Sequence, residues 1–203
     1  MKFDSAGLMP VIVQDDLTGE VRMLAYADAQ ALERTRETKR ATFFSRSRQA
    51  AWVKGETSGN AVEVREVRLD CDEDAALYLG RPAGPTCHTG AETCFGGARR
   101  PLLLALEAEL EARKASTGEK SYTKSLYEGG ALRIGEKLRE EADELAGAVD
   151  AEADSRVVSE AADLVYHLMV ALRHRNVPVR DVLAELDRRF GQSGHDEKAS
   201  RAP

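Results

Sequence analysis

Residues 96–101 read Gly-Gly-Ala-Arg-Arg-Pro and form the clearest break in composition along the 203-residue chain. Before this break, short apolar runs alternate with turn residues, which is the pattern of β-strands. After it, from Leu102 onward, apolar residues recur at helical spacing. The sequence therefore predicts two domains, a β-rich α+β domain over residues 1–100 and an all-α helical bundle over residues 101–190. Residues 191–203 have no periodicity, and we expect a disordered tail there.

Composition and charge exclude several classes of protein. The formal net charge is −6 at pH 7, so the chain lacks the basic surplus of a nucleic-acid-binding protein. No apolar run approaches the length needed to cross a bilayer, and the N-terminus lacks the apolar core of a secretory signal. We therefore expect a cytoplasmic protein without a membrane or nucleic-acid partner. The 3 cysteines are an odd number, which favours ligand or catalytic use over a disulfide framework.

The first hundred residues predict strands joined by turns around one short helix. Asp28 is a suitable N-cap for that helix, because its carboxylate can accept hydrogen bonds from the first turn. The alternation of apolar residues slips at Arg65-Glu66, which indicates a β-bulge. The predicted elements are a hairpin over 11–13 and 21–26, a helix from Ala29 to about Glu37, a strand over 41–44, an irregular loop over 52–60 and a strand over 62–69.

The three cysteines lie within one short region, at Cys71, Cys87 and Cys94. Their spacing does not match a zinc ribbon, which uses two Cys-x-x-Cys pairs. Three protein ligands with an open fourth position are typical of a catalytic zinc, which lowers the pKa of a bound water. A structural zinc site with His88 as the fourth ligand fits the spacing about as well. Buried thiols without a metal are the remaining interpretation.

An acidic run surrounds the first of these cysteines and supplies the ligands that a hard cation prefers. If the preceding strand continues through this run, Asp70, Asp72 and Asp74 share one face and the residues between them share the other. Two metals could then lie side by side. A calcium loop would need glycine and glutamate where Ala75 and Arg81 stand, so that interpretation fails. A magnesium site or a solvated acidic edge remains.

Residues 7–95 resemble phosphoribosyl-AMP cyclohydrolase in a series of motifs that occur in the same order. The matching motifs are Gly7-Leu8-Met9-Pro10, Val13-Gln14-Asp15, Met23-Leu24-Ala25-Tyr26, Ser45-Arg46-Ser47-Arg48, Trp52 with Lys54–Asn60, Asp70–Asp74, and Gly84–Gly90 with Cys94-Phe95. That family adds water to C6 of the adenine ring and opens the N1–C6 bond. The resemblance implies a zinc site of three cysteines that is shared between the subunits of a homodimer, and a magnesium site of three aspartates. The implied ligands are Cys71, Cys87 and Cys94 for zinc, and Asp70, Asp72 and Asp74 for magnesium.

Other residues of the same region are candidates for proton transfer and for substrate binding. We expect His88 to move protons during ring opening, because it adjoins a proposed zinc ligand and imidazole titrates near neutrality. A second-shell hydrogen bond is the alternative role for this histidine. Candidates for binding the substrate phosphates are Arg46, Arg48, Lys54, Thr57 and Ser58. For the arginines, a solvated strand surface is the alternative.

The second domain carries carboxylates along two predicted helices. At 100° per residue, an apolar arc runs from Ile134 to Val149 through Ala142, and Glu141 falls inside it or at its edge. Carboxylates beside facing apolar seams repel each other unless a cation joins them. The alternative is a charged solvent face with ion pairs. The predicted segments are helices over 102–114, 132–149, 155–173 and 179–190, with a polar loop over 116–122.

Residues 103–189 resemble phosphoribosyl-ATP pyrophosphohydrolase, one of the all-α nucleotide pyrophosphohydrolases. The matching residues are Ser121-Tyr122-Thr123, Leu126, Gly130, Ile134, Lys137, Glu140-Glu141, Glu144, Glu160, Asp163-Leu164 and Tyr166-His167. These families use Glu-Glu-x-x-Glu followed by Glu-x-x-Asp to hold magnesium. The resemblance implies magnesium ligands at Glu140, Glu141, Glu144, Glu160 and Asp163, and phosphate contacts from Arg133 and Lys137.

Together, the two resemblances imply a bifunctional enzyme of histidine biosynthesis. Phosphoribosyl-ATP and phosphoribosyl-AMP would be its substrates, and zinc and magnesium its metals. Two alternatives remain open from the sequence. The helical domain could be a general house-cleaning nucleotide pyrophosphatase, or the cysteine region could be a structural zinc module that serves as a binding platform.

Overall fold

The computed structural model describes residues 1–97, 100–116 and 121–190. The chain forms two compact units that divide after Arg100. The first unit is rich in strands and the second is helical. The tail predicted over residues 191–203 lies outside the described residues.

In its described residues, the first unit is a six-stranded sheet with one helix. The strand order is β4-β3-β2-β1-β6-β5, and all neighbours are antiparallel except β1 and β6, which are parallel. The elements are β1 Met9–Asp15, β2 Val21–Ala27, α1 Ala29–Thr38, β3 Thr42–Ser45, β4 Ala50–Val53, β5 Val62–Leu69 and β6 Ala76–Pro82. Buried apolar residues of β1, β3, β5 and β6 form the core with Leu32 of α1.

Several predicted features of this unit are confirmed. Strands β1 and β2 form the expected hairpin, and the carboxylate of Asp28 caps α1 by accepting from the backbone N–H of Ala31 at 2.7 Å. The pairing register of β5 shifts between Val64 and Glu66, where the bulge was expected. The prediction of an irregular loop from Trp52 was wrong at its start, because Trp52 belongs to β4 and pairs with Phe43 of β3. Strand β6 was not predicted.

The predicted continuation of β5 through the acidic run was also wrong. The strand ends at Leu69, and residues 70–75 form the hairpin connection to β6. Within it, the backbone N–H of Asp70 donates to Ala75 O at 3.1 Å, and Glu73 has a φ of 64°. Acidic residues are poor strand formers and favour turns, so the chain reverses here. The proposed ligands are therefore not sorted onto opposite faces of a strand.

Over residues 101–116 and 121–190, the second unit contains four helices, and the longest of them begins earlier than predicted. Ser121 caps that helix by accepting from the backbone N–H of Lys124 at 3.2 Å, so the predicted loop ends one residue before Tyr122. Gly130 has a φ of 64° and a ψ of −161°, and this conformation kinks the helix. Because the kink interrupts the helical spacing of apolar residues, the sequence did not predict the turns that precede Gly130. The helices are α2 Leu102–Ala115, α3 Tyr122–Ala151, α4 Asp154–His174 and α5 Val179–Arg189.

The buried seam of α3 differs from the predicted arc. Ile134, Glu141 and Ala148 are buried, whereas Ala142 is exposed and Val149 is 67 % exposed. The spacing of seven residues between the buried positions is that of a helix packed along its length against a neighbour. Glu141 therefore lies in the centre of the seam. On α4, the buried residues are Glu160, His167, Met169 and Val170.

Across the described ranges, no helix is both long enough and apolar enough to cross a lipid bilayer.

Candidate metal centres and active sites

The hairpin loop between β5 and β6 gathers the three aspartates. Asp70, Asp72 and Asp74 each have a carboxylate oxygen within 4.8 Å of the others, and all three are exposed. Backbone N–H groups of Ala75 and Asp74 donate to Asp70, which lowers the pKa of that carboxyl. The pKa of the Asp74 carboxyl is raised, chiefly because the negative charge of Asp72 lies nearby. The loop therefore concentrates negative charge that a hard cation could neutralise.

Two of the three cysteines contact each other in the segment after β6. Thr89 Oγ1 donates to Cys87 Sγ at 3.1 Å and lowers the pKa of that thiol, while burial and then Cys87 raise the pKa of Cys94. Cys71 is exposed in the aspartate loop, and the sulfur atoms of the three cysteines are not all within 4.8 Å of one another. One chain thus brings together two of the three predicted zinc ligands.

Lys54 lies beside this thiol pair. Its side chain is only 9 % exposed, and burial lowers its pKa, an effect that Cys94 and Cys87 oppose. The ammonium group is therefore close enough to favour the thiolate forms of both cysteines. His88 is exposed, with Nδ1 at 3.8 Å from Cys87 Sγ.

The other predicted phosphate contacts of this unit are exposed. The guanidinium of Arg46 stacks over the ring of Tyr26 at 4.0 Å from its centroid. Arg48 Nε donates to Ser45 Oγ at 3.3 Å. Thr57 and Ser58 lie in the turn after β4, with their side chains open to solvent. These side chains are accessible to a ligand, but none of them lies in a buried pocket that would indicate a binding site.

Arg22, which was not predicted as a functional residue, organises the segment that carries the thiols. Its buried guanidinium bonds to Thr86 Oγ1 at 3.1 Å, Glu92 Oε2 at 2.7 Å and Glu20 Oε2 at 2.7 Å. Its carbonyl accepts from the backbone N–H of Cys94 at 2.8 Å. The available signal was an arginine between the apolar residues of a predicted strand, where a charge needs partners if it is buried.

In the helical unit, α3 and α4 bring three carboxylates together. Glu141, Glu144 and Glu160 each have an oxygen within 4.8 Å of the others. Glu160 is 2 % exposed, and among the residues that the structure describes no donor reaches its Oε2. Burial, followed by the nearby Glu144, raises the pKa of Glu160, although Arg156 Nη1 contacts the other oxygen at 2.6 Å. Such an orphaned buried oxygen needs a cation or a proton.

The remaining predicted ligands and phosphate contacts surround this cluster. Glu140 and Asp163 are not members of the three-carboxylate group. Lys137 Nζ lies 2.8 Å from Glu140 and 2.9 Å from Glu141, and these carboxylates raise the pKa of the lysine. Arg133 is exposed and pairs with Glu136 at 3.4 Å. Lys137 therefore contacts the cluster directly, whereas Arg133 lies in another ion pair.

Comparison with known proteins assigns both units. The family model of phosphoribosyl-AMP cyclohydrolase matches residues 23–96, and that of phosphoribosyl-ATP pyrophosphohydrolase matches residues 103–190. The histidine biosynthesis bifunctional protein HisIE of Photobacterium profundum is 44% identical over 194 residues, which cover 92% of this chain and 94% of the relative. The chain belongs to the bifunctional histidine-biosynthesis family.

Two further relatives support this assignment. The HisIE protein of Bacillus subtilis is 42% identical over 200 residues, covering 95% of this chain and 96% of the relative. The chloroplastic bifunctional protein of Arabidopsis thaliana is 43% identical and covers 99% of this chain, with 79% of its own length matched. The family resemblance found in the sequence is confirmed. The chain is an enzyme that joins a cyclohydrolase domain to a pyrophosphohydrolase domain and acts on small molecules.

Proposed function

We propose that the two units catalyse consecutive hydrolyses. The helical unit converts phosphoribosyl-ATP to phosphoribosyl-AMP and pyrophosphate with magnesium. The strand-rich unit then opens the N1–C6 bond of the adenine ring of phosphoribosyl-AMP with zinc and magnesium. The chain order of the units is the reverse of this reaction order.

The observation that carries the first reaction is the orphaned oxygen of Glu160. It is buried beside Glu141 and Glu144, and a magnesium ion would supply its missing partner. Glu140 and Asp163 are further ligands in this proposal, because they occupy the remaining acidic positions of the Glu-Glu-x-x-Glu and Glu-x-x-Asp motifs. A bound magnesium would neutralise phosphate charge and polarise the reacting phosphorus–oxygen bond.

Two cations of the helical unit are suited to binding the triphosphate. Lys137 contacts Glu140 and Glu141, and its ammonium group can bind a phosphate oxygen as well because it has three donors. Arg133 lies four residues earlier on α3, one turn away, and its guanidinium can bind an outer phosphate after leaving Glu136. Both residues orient the substrate relative to the carboxylates.

For the second reaction, we propose a zinc site shared by two copies of the chain. Cys87 and Cys94 of one copy are joined by Cys71 of the other, which accounts for the separation of the sulfur atoms within one chain. The outer face of the sheet supports pairing, because Ile12 and Leu24 are cross-strand partners that are 38 % and 46 % exposed. Asp70, Asp72 and Asp74 hold magnesium close to this site.

The remaining side chains of this unit act on protons and phosphates. A bound zinc would activate water for attack on C6. Lys54 lies beside the thiol pair and favours the thiolate form of Cys94, which supports a role beside the metal in addition to the phosphate contact expected from the sequence. His88 is exposed next to Cys87 and can move a proton at ring opening. The candidates for holding the substrate phosphates are Arg46, Arg48, Lys54, Thr57 and Ser58.

The decisive experiment supplies phosphoribosyl-ATP with zinc and magnesium and follows both pyrophosphate release and ring opening. Cys87→Ala should stop only ring opening, and Glu141→Gln should stop only pyrophosphate release. Asp143→Asn is the matched control for the second variant, because Asp143 is exposed on the same helix and outside the cluster. Loss of both reactions in either variant would contradict two independent sites.

The two alternatives predict different results in the same assay. A general nucleotide pyrophosphatase would hydrolyse ordinary nucleoside triphosphates as fast as phosphoribosyl-ATP. A structural zinc module would leave phosphoribosyl-AMP intact at every zinc and magnesium concentration. The proposed enzyme should prefer phosphoribosyl-ATP and consume phosphoribosyl-AMP.

A further inference from the structure

The imidazole of His167 is buried in the helical unit, and both of its nitrogens have protein partners. Nδ1 lies 2.9 Å from the carbonyl oxygen of Asp163, and Nε2 lies 2.8 Å from the hydroxyl of Tyr122. A carbonyl oxygen can only accept, so Nδ1 carries a proton. In the neutral ring Nε2 is then an acceptor, and the Tyr122 hydroxyl donates to it. The two contacts together define one tautomer.

The protonated nitrogen of this ring also faces the carboxylate cluster. His167 Nδ1 lies 3.5 Å from Glu141 Oε1. The rings of Tyr122 and Tyr166 pack against the imidazole edge-to-face, with centroids at 5.8 Å and 5.3 Å. The orientation of His167 is therefore fixed by packing and by hydrogen bonds, and it presents an N–H to Glu141.

The kink at Gly130 makes this arrangement possible. Tyr122 and Glu141 belong to the same helix, α3, and nineteen residues of straight helix would separate their backbones by about 28 Å. In the folded unit both side chains instead reach His167. Gly130 has a φ of 64° and a ψ of −161°, a conformation that is essentially restricted to glycine. The kink at this residue brings the start of α3 close to His167.

We propose that Tyr122 and His167 form a positioning pair that orients Glu141 for metal binding, an inference that rests on the function proposed above for the helical unit. Without the Tyr122 hydroxyl, Nε2 loses its donor, and the Asp163 carbonyl oxygen is the remaining hydrogen-bond partner of the ring. The imidazole can then tilt about this remaining contact, so its N–H is no longer held toward Glu141. The Glu141 carboxylate would be less well oriented, and the cation would bind it more weakly.

The test uses the full-length chain, with Mn²⁺ as a spectroscopic probe and Mg²⁺ for turnover. The relevant Mn²⁺ site is identified as the one lost in Glu141→Gln. Tyr122→Phe should weaken Mn²⁺ binding at that site by about tenfold, as expected for loss of an outer-shell partner. The Mg²⁺ concentration for half-maximal pyrophosphate release should rise similarly, while the KM for phosphoribosyl-ATP at saturating Mg²⁺ stays unchanged.

Two further variants separate positioning from a general loss of structure. Tyr127→Phe removes a hydroxyl from the same helix, where it reaches Leu110 O at 3.5 Å, and should leave Mn²⁺ affinity unchanged. His167→Asn retains a donor near the position of Nδ1 and should bind Mn²⁺ more tightly than His167→Gln, whose donor lies near the position of Nε2. Equal weakening in both histidine variants would contradict the assigned tautomer.

Other outcomes overturn the proposal in distinguishable ways. Wild-type Mn²⁺ affinity in Tyr122→Phe would reject the positioning pair while leaving the metal site intact. A raised KM for phosphoribosyl-ATP with unchanged Mn²⁺ affinity would make Tyr122 a substrate contact and reject it as well. A wild-type protein that has no Mn²⁺ site dependent on Glu141 would overturn both this inference and the proposed first reaction.

Discussion

The two units build their candidate metal sites from different kinds of structure. In the strand-rich unit, the aspartates and thiols lie on loops, are largely exposed, and leave Cys71 apart from the other cysteines. In the helical unit, the carboxylates project from two facing helices, and Glu141 and Glu160 are buried. A loop site depends on turn geometry and can be completed by a second chain. A helix site depends on periodicity and is assembled within one chain.

The electrostatics of the two sites differ in the same way. Asp74 has a raised pKa chiefly because the charge of Asp72 is near it, whereas burial is the main cause of the raised pKa of Glu160. Solvent can partly screen the exposed aspartates. It cannot reach Glu160 Oε2, which no donor within the described part of the chain satisfies. A cation should therefore matter more for the stability of the helical unit.

Subunit mixing gives the largest expected contrast between the two sites. Cys71→Ser and Cys87→Ser should each abolish ring opening, but a random mixture of the two chains should recover about one quarter of wild-type activity, because half of the dimers contain one intact site. Glu141→Gln mixed with Glu160→Gln should recover no pyrophosphate release. Recovery of pyrophosphate release in the glutamate mixture, or no recovery of ring opening in the cysteine mixture, would contradict a shared zinc site and a magnesium site within one chain.

A smaller effect is expected when the support of the thiol segment is removed. Arg22→Met removes one of the two cations that contact buried Glu20 at 2.7 Å, the other being Arg100, and should destabilise the strand-rich unit by about 2 kcal/mol. Competition with a chelator should show zinc affinity about tenfold lower, with pyrophosphate release unchanged. If Arg22→Met does not fold, Glu92→Gln tests the same role, because it keeps the Arg22–Glu20 pair and removes the charge that joins Arg22 to the thiol segment. Arg68→Met is the surface control, and unchanged zinc affinity in both test variants would refute this role.

The smallest expected effect is a change in the stability of the helical unit when the kink at Gly130 is altered. Gly130→Ala should destabilise the helical unit by about 2 kcal/mol, because a side chain strains this backbone conformation even though no atom lies within 4 Å of the added Cβ. Gly147→Ala, in the regular part of the same helix, should stabilise it by about 1 kcal/mol. Urea unfolding followed by helical circular dichroism measures both. Equal stability of the two variants would mean that Gly130 carries no conformational constraint.

Local patterns predicted much of the fold. The sequence predicted the change in composition before Leu102, the helix cap at Asp28 and the bulge in β5, because each of these features depends on neighbouring residues. The helix over residues 122–131 was missed, since Gly130 interrupts the periodicity that would have indicated it. Strand β6 was missed because it follows a turn that had been assigned to the preceding strand.

The sequence by itself determined the residue types, their helical or strand periodicity and the resemblance to two hydrolase families, because these follow from local order along the chain. Only the tertiary structure decided which side chains meet. It joined Arg22 to the thiol segment, folded the acidic run into a hairpin loop and returned Tyr122 to His167 and Glu141. Such contacts join residues far apart in the chain, and periodicity carries no information about them.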